Sequence, residues 1–345
     1  MRNVHAVVAL QFDALTNFNH LPPRFEVKGG TKKDPVMYHV TTHGEPRYEM
    51  SGTQVITNFD VMIANQHRDT PDGIPWLELL PKQVAVIPRH DKISQALRIN
   101  NCELPPDSGH RKIATYSSDS AKLDQAYSFG TKIQGSVVIK PRHGARGLGQ
   151  FVVDTDKVSI GMLIHDIRNE SLPIADVITK YTPHVTYHGG MENYDNEGRS
   201  QLLAQGMAVQ ERVPGVKDEF RVLVGANSEI VAILPRSRYK KVTGGEGAHG
   251  HDYDQATGTS VFLDRDYKGM DLEEVLPKPA QYKGFIKMLK DVVPPLNSVD
   301  LFTTEDGEWG IFEYCNQFGT VGVPLPVATD LHINYIGALL DKHFA

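Results

Sequence analysis

The sequence predicts a mixed α/β (α+β) protein made of three units. The chain has 345 residues, which is more than one average domain, and 40% of them are hydrophobic, enough for more than one core. Short apolar runs bounded by Gly, Pro and Asp predict strands, and segments with helical apolar spacing lie between them. We expect the units to comprise residues 1–90, 91–207 and 208–345.

The first unit has the pattern of an α/β domain. Its predicted strands are Val4–Gln11, Gln54–Thr57 and Gln83–Ile87, with weaker candidates at Glu45–Met50 and Asp60–Ala64. Asp13 interrupts the first apolar run, and no small-residue cleavage site follows. We therefore interpret this run as a buried strand and not as a secretion signal.

The second unit opens with a predicted helix at Asp91–Asn100, which Pro105 and Pro106 follow. A glycine-rich hairpin comes next, at Val137–Asp154. We expect an insert at about 158–205, with a helix at Ile160–Arg168 and coil at Tyr181–Gly190.

The third unit is predicted to hold a sheet and two helices. Its predicted strands are Ala208–Arg212, Phe220–Val224, Ile230–Leu234, Val299–Phe302 and Trp309–Tyr314. The turn Glu305-Asp306-Gly307 joins the last two strands. An amphipathic pattern predicts a helix at Lys283–Val292, and Asp330–His343 reads as a terminal helix. The Gly-rich stretch Thr243–Gly258 predicts a loop.

Composition limits the classes of function. The net charge of −6 and the pI of about 6.2 argue against a bulk nucleic-acid binder, which usually has a basic face. Two cysteines, Cys102 and Cys315, are too few for a disulfide scaffold and are typical of a reducing compartment. No apolar run is long enough for a membrane span. We expect a cytoplasmic monomer or homodimer.

The hairpin at Val137–Asp154 carries the chemistry of a polyphosphate site. An apolar run ends at Lys140, a loop with Gly144, Gly147 and Gly149 follows, and a second apolar run begins at Phe151. Glycines let backbone N–H groups approach an anion, and the lysine adds positive charge. Neither a P-loop nor a dinucleotide fingerprint fits, because both open a helix and this loop leads into a strand. An ordinary glycine-rich turn is the alternative.

Two carboxylates lie inside apolar strands of the third unit. Asp300 in SVDLF and Glu313 in GIFEYCN are expensive to bury without a cation or hydrogen bonds. With nearby Asn316 they could form the hard oxygen site that Mg²⁺ uses with phosphates. Strand alternation could instead point both carboxylates to solvent.

Further charged residues lie on or beside the strands of the third unit. Glu211, Glu219 and Arg221 could serve a nucleotide or form a surface salt-bridge ladder. Arg236 and Arg238 suit bidentate capture of phosphate or carboxylate, or belong to a solvated charge run. The HGHDYD stretch at 249–254 lacks helical ligand spacing, so we favour a loop over a metal site.

These pieces, in this order over about residues 85–325, resemble the ATP-grasp superfamily of carboxylate–amine ligases. The resemblance implies an N-terminal substrate domain and two subdomains that clamp ATP. The implied phosphate-binding residues are Lys92, Lys140, Gly144, Arg146, Gly147 and Gly149. The implied adenosine-binding residues are Gln210, Glu211, Val213 and Glu219. The implied metal ligands are Asp300, Glu313 and Asn316, for two Mg²⁺ ions or for Mn²⁺, and the implied catalytic arginines are Arg221, Arg236 and Arg238.

Two features depart from the family pattern. One is the insert at about 158–205, which makes the spacing from Lys140 to Glu211 longer than compact members of the family need. The other is the end of the pattern. The family usually ends in Glu-x-Asn, but here Tyr314 and Cys315 separate Glu313 from Asn316. A β-bulge could absorb the additional residue.

The resemblance implies a ligase that joins a small-molecule carboxylate to an amine through an acyl phosphate. Three alternatives stay open at this point: a kinase on the same scaffold that phosphorylates a hydroxyl, a non-catalytic nucleotide-binding protein, and a ligase acting on a nucleic acid or a modified nucleotide.

Overall fold

The computed structural model describes residues 1–9, 21–43, 60–65, 83–87, 91–118, 136–142, 150–169, 171–188, 206–225, 227–236, 253–254, 259–260, 270–294, 297–315 and 325–344. The predicted strands Gln54–Thr57 and Glu45–Met50 lie outside these residues. So do six of the predicted site residues, namely Gly144, Arg146, Gly147, Gly149, Arg238 and Asn316.

The first sheet is mixed and contains the N-terminal strands. They are β1 (Arg2–Ala9), β2 (Arg24–Gly30), β3 (Pro35–His43), β4 (Val61–Asn65) and β5 (Gln83–Ile87), in the order β2-β3-β1-β4-β5. All neighbours pair in parallel except β2 and β3. The strand predictions for β1, β4 and β5 are confirmed. Strands β2 and β3 were not predicted, because polar residues, glycines and prolines interrupt their apolar alternation.

The second sheet belongs to the central part of the chain. Its elements are α1 (Lys92–Asn100), a 3₁₀ turn at Pro106–Ser108, β6 (Thr115–Ser117), β7 (Ser136–Pro141), β8 (Gln150–Asp154), α2 (Ile160–Arg168), α3 (Ile174–Tyr181), β9 (Val185–His188) and β10 (Met207–Glu211). The strand order is β6-β10-β7-β8-β9, with every pair antiparallel. The predicted hairpin is confirmed, since Val137 on β7 pairs with Val153 on β8.

The prediction of coil at Tyr181–Gly190 is wrong. Tyr181 ends helix α3, and β9 pairs with β8 through Val185–His188. Helix α3 was missed because its sequence, IADVITKY, is rich in β-branched residues, which lower helix propensity. Packing against α2 and the sheet stabilises the helix in this context, through Ile174 and Val177.

The third sheet is antiparallel and is backed by helices. The elements are β11 (Val216–Val224), β12 (Ile230–Arg236), β13 (Tyr253–Asp254), β14 (Thr259–Ser260), α4 (Leu272–Val275), α5 (Pro279–Asp291), β15 (Ser298–Thr304), β16 (Trp309–Cys315) and α6 (Leu325–Phe344). The sheet order is β12-β11-β15-β16, while β13 and β14 form a separate pair. The predicted strands and both predicted helices are confirmed. Gly307 supplies the turn between β15 and β16 at φ 77°, a region that favours glycine.

Each sheet buries one face against helices. Helices α2 and α3 cover the second sheet, and α4 and α5 cover the third. Helix α6 packs on the first sheet through Leu331, Ile336 and Leu340. Strand β10 spans the predicted boundary at 207/208 and pairs in the second sheet, and the three-unit division stays a prediction. Among the described helices, none is long and apolar enough to cross a membrane.

A carboxylate contact fixes α6 on the first sheet. Asp341 Oδ1 accepts hydrogen bonds of 2.7 Å from the Tyr38 hydroxyl and 2.7 Å from the Gly30 N–H. Tyr38 is fully buried, and burial together with the Asp341 carboxylate raises the pKa of its hydroxyl. The phenol therefore stays a donor at any physiological pH.

We predict that Asp341→Ala destabilises the protein by about 2 kcal/mol, because it leaves the buried Tyr38 hydroxyl without an acceptor. The matched control is Asp330→Ala, which removes an exposed carboxylate from the same helix and should change stability by less than about 0.5 kcal/mol. Urea unfolding of both variants measures the difference. Equal effects of the two substitutions would contradict the anchoring role.

Candidate active site

A β-bulge brings two carboxylates together on the third sheet. Strands β15 and β16 pair regularly from the turn to Leu301 opposite Ile311, and the register then shifts so that Asp300 lies opposite Glu313. Phe312 is the additional residue. Without the bulge, Phe312 would occupy the position opposite Asp300. Because directly opposed residues share a face, both carboxylates lie on the face that helices α4 and α5 leave uncovered.

The same face carries the basic side chain of Arg221. Arg221 lies opposite Asp300 across β11 and β15. Its Nε and Nη2 atoms lie 3.2 and 3.3 Å from Oδ1 and Oδ2 of Asp300. Both side chains are largely buried, so one predicted catalytic arginine already neutralises one predicted metal ligand.

Glu219 continues this face along β11. It is buried, with 6% of its surface exposed, and its position lies opposite Arg236 on β12. The structure describes only the main chain of Arg236. The register therefore brings residues 219, 221, 236, 300 and 313 to one face of the third sheet.

Lys140 lies on the face of the second sheet opposite to helices α2 and α3. On β7 it alternates with Val137 and Ile139, which pack against α2 and α3, and it pairs with Ala208 on β10. Only 3% of Lys140 is exposed, and its Nζ has no hydrogen-bond partner among the residues that the structure describes. A buried ammonium without a hydrogen-bonded partner is costly to the folded state.

The charged groups that act on Lys140 include two carboxylates of the third sheet. Burial is the main reason why the pKa of Lys140 is lowered to about 8. The carboxylates of Glu313 and Asp300 act to raise this pKa, whereas the Lys92 ammonium acts to lower it. Lys140 is thus near a second lysine and both carboxylates of the third sheet. The group thus combines two lysine ammoniums with two carboxylates. An anion can bind to such a group when it contacts the lysines directly and a metal ion links it to the carboxylates.

Lys92 is the first residue of helix α1, and the start of this helix is hydrogen-bonded to the chain at the end of β7. Asp91 caps α1, and its side chain accepts a hydrogen bond of 3.0 Å from the Ile93 N–H. The main-chain N–H of Lys92 donates to the carbonyl of Arg142 at 3.1 Å. The Arg142 guanidinium also forms a bidentate ion pair with Asp91.

Gln210 and Glu211 lie on opposite faces of the second sheet. Gln210 shares the face of Lys140 and donates to the Thr115 hydroxyl at 3.2 Å. Glu211 projects to the other face, where its carboxylate accepts from Arg111 at 2.8 Å. Arg111 also contacts Glu308, beside the turn of the third sheet, at 3.1 Å. The carboxylate of Glu211 therefore links the two sheets and does not lie beside Lys140.

A small apolar cluster lies between the second and third sheets. It contains Val213, Ile113, Phe302 and Phe312, and the two phenylalanine rings stack at a centroid distance of 4.3 Å. Phe302 follows Asp300 by two residues on β15, so it shares the carboxylate face. The cluster is therefore a buried apolar contact beside the charged group.

The donor set fits a hard cation. Asp300 and Glu313 present carboxylate oxygens from one face, and these are the ligands that Mg²⁺ uses. In the described part of the chain, no three His, Cys, Asp or Glu side chains group so as to hold a metal ion. The predicted set has only two such residues, and its third member is Asn316, outside the described residues.

Three residues of this arrangement were missed at the sequence level. Asp91, Arg142 and Arg111 act through contacts between distant parts of the chain. The cap position of Asp91 was visible as a carboxylate before a helical apolar pattern. The pairing of Asp91 with Arg142, and of Arg111 with Glu211, left no local signal in the sequence.

We predict that Lys140→Met stabilises the protein at pH 7 by up to about 3 kcal/mol. The folded state binds the Lys140 proton less tightly than the unfolded state, so the cost is present below pH 8 and is relieved as the pH rises toward 10.5. Thermal unfolding from pH 7 to pH 10 should show the advantage of the variant shrinking. Lys157→Met, at an exposed site of the same unit, should show neither effect. A constant advantage at every pH would contradict the buried charge.

Comparison with known proteins gives the fold. No protein-family model matches the sequence, and no curated protein matches it. Among solved structures, the chain is similar to a D-alanine–D-alanine ligase from Bacillus anthracis, with a TM-score of 0.50, 12% identity and coverage of 99% of this chain and 98% of that one. The chain is also similar to D-alanyl-alanine synthetase A from Vibrio cholerae, with a TM-score of 0.50, 10% identity and coverage of 100% of this chain and 99% of that one. The chain therefore has the fold of the ATP-grasp superfamily.

Proposed function

We propose that this protein is an ATP-dependent ligase that joins a carboxylate to an amine and releases ADP and phosphate. One observation carries the proposal: the buried ammonium of Lys140, which has no hydrogen-bond partner among the described residues, lies close to Lys92 and to the carboxylates of Asp300 and Glu313. A polyphosphate would give the Lys140 ammonium a hydrogen-bonded counter-charge and would also be within reach of Lys92. The fold shared with two ligases of known structure supports the same conclusion.

ATP would lie between the second and third sheets. Lys92 and Lys140 would contact its phosphates, with the glycine loop that holds Gly144, Arg146, Gly147 and Gly149 covering them. The main chain near Val213, which follows Glu211 at the end of β10, would bind the adenine, and the Val213 side chain would pack against the ring. The buried carboxylate of Glu219 would accept hydrogen bonds from the ribose hydroxyls.

Asp300 and Glu313 would hold Mg²⁺, with Asn316 as a further ligand. Bound Mg²⁺ neutralises phosphate charge and orients the transferred group. Arg221 would then share Asp300 with the metal and keep the carboxylate oriented.

The reaction would proceed in two transfers. A substrate carboxylate oxygen attacks the γ-phosphorus of ATP, the bond to the bridging oxygen breaks, and ADP leaves. The amine then attacks the acyl phosphate carbon, phosphate leaves, and the amine loses a proton. Arg236, Arg238 and Arg221 would stabilise the charge on the phosphoryl group and the tetrahedral oxyanion. The protein contributes mainly position and electrostatics. We place this activity in the cytoplasm, on small-molecule substrates.

The metal assignment can be tested without knowing the substrates. We predict that Mg²⁺ strengthens ATP binding to the wild type, and that Asp300→Asn weakens ATP binding in the presence of Mg²⁺ by at least about tenfold, because one metal-binding oxygen is lost. Titration calorimetry with and without Mg²⁺ measures both. Asp306→Asn, in the exposed turn of the same hairpin, is the control. If Asp300→Asn and the control respond alike to Mg²⁺, the metal site is elsewhere.

The same proteins distinguish a ligase from a kinase. With ATP, Mg²⁺, a panel of carboxylates and hydroxylamine in place of the amine, a ligase forms a hydroxamate together with ADP, whereas a kinase acting on a hydroxyl does not. We expect hydroxamate with the wild type and loss of it with Asp300→Asn. ADP released only with hydroxyl compounds, without hydroxamate, would contradict the ligase and favour the kinase.

A further inference from the structure

An ion pair joins the start of α1 to the end of β7. Arg142 Nε lies 2.8 Å from Asp91 Oδ1, and Arg142 Nη2 lies 2.6 Å from Asp91 Oδ2. Both side chains are partly buried, and the two parallel contacts have the fork geometry that arginine and carboxylate form best. Only arginine supplies both donors in one plane.

The main chain around this pair is fixed as well. The Arg142 carbonyl accepts from the Lys92 N–H, and the Arg142 N–H donates to the carbonyl of Gly206, next to β10. Asp91 also accepts from the Ser94 hydroxyl at 2.7 Å and from the Ile93 N–H. Although burial opposes ionisation, the hydrogen bonds from Arg142, Ser94 and Ile93 lower the pKa of Asp91. The carboxylate is therefore charged, and three elements meet at one point.

The residues beside this pair are the two phosphate-binding lysines of the proposed function. Lys92 directly follows Asp91, and Lys140 precedes Arg142 by two residues on the same extended segment. The hydrogen bond from the Lys92 N–H to the Arg142 carbonyl places the main chain of Lys92 beside the segment that carries Lys140. Two like charges stay near each other only where the surrounding structure fixes them. The Asp91–Arg142 pair is a charged contact that connects their two segments.

We propose that Asp91 and Arg142 are positioning residues that hold Lys92 next to Lys140 and so form a two-lysine site for the phosphates of ATP. This inference rests on the proposed function, because it names how that nucleotide site is assembled. Neither residue is assigned a contact with the nucleotide. Arg142 also immediately precedes the glycine loop, so the same pair fixes the base of the loop.

The test compares ATP with adenosine, which lacks phosphates. We expect Arg142→Ala to weaken ATP binding by about tenfold in the presence of Mg²⁺, and adenosine binding by less than about twofold. Asp91→Asn should behave in the same way. Asparagine keeps the helix cap but loses the charge, so this variant preserves α1 if Arg142→Ala fails to fold. Displacement of a fluorescent adenine nucleotide gives both affinities.

A double-mutant cycle separates positioning from general stabilisation. If the pair acts through Lys92, Arg142→Ala should weaken ATP binding by less than about twofold further when Lys92→Ala is already present. The matched control is Lys180→Ala, which removes an ion pair with Asp166, also 2.6 Å long, between α2 and α3. It should leave both affinities unchanged.

The outcomes distinguish the two proposals. A wild type that binds no ATP overturns the proposed function and this inference together. A wild type that binds ATP while Arg142→Ala and Asp91→Asn bind it equally well overturns only the positioning role. An effect of Arg142→Ala that is the same with and without Lys92, or that is equal for ATP and adenosine, also overturns it.

Discussion

The buried ammonium group of Lys140 is the constraint on which the rest of the site depends. It has no hydrogen-bond partner among the described residues, and burial lowers its pKa to about 8. Stability alone would favour an apolar residue at this position on β7. A costly group of this kind persists where function requires it. The carboxylates of Asp300 and Glu313 offset the cost only in part, which leaves the site ready for an anion.

Contacts made by Arg111 hold the second and third sheets in a fixed position relative to each other. Arg111 contacts Glu211 and Glu308, and its main-chain N–H donates to the Trp309 carbonyl at 2.7 Å. The segment that enters the second sheet is thus hydrogen-bonded to the edge of the third. Helix α6 follows β16 along the chain and packs on the first sheet, and the core it shares includes Leu223 of β11. The first and third sheets are therefore joined by one core, whereas polar contacts and the small apolar cluster around Phe302 attach the second sheet to the third.

The sequence was informative where local patterns decide structure. Apolar β-branched runs predicted the β7–β8 hairpin and the β15–β16 hairpin, and the turn at Gly307 lies between the latter strands as expected. Local patterns were insufficient for α3, where packing outweighs β-branched propensity, and for β2, whose polar residues face outward.

For the site, alternation left open whether Asp300 and Glu313 share a face, because a single-residue bulge at Phe312 decides it. The bulge was anticipated after Glu313, and it lies before it. The contact between Asp91 and Arg142 depends on tertiary structure and could not be predicted from spacing.

The central claim is that ATP bridges the lysines of the second sheet and the carboxylates of the third. A crystal structure with Mg²⁺ and a non-hydrolysable ATP analogue tests it most directly. The account predicts phosphate oxygens about 2.8 Å from Nζ of Lys140 and of Lys92, with metal between the phosphates and Asp300 and Glu313. Phosphates bound elsewhere, or a Lys140 ammonium that stays without a partner in the complex, would contradict it.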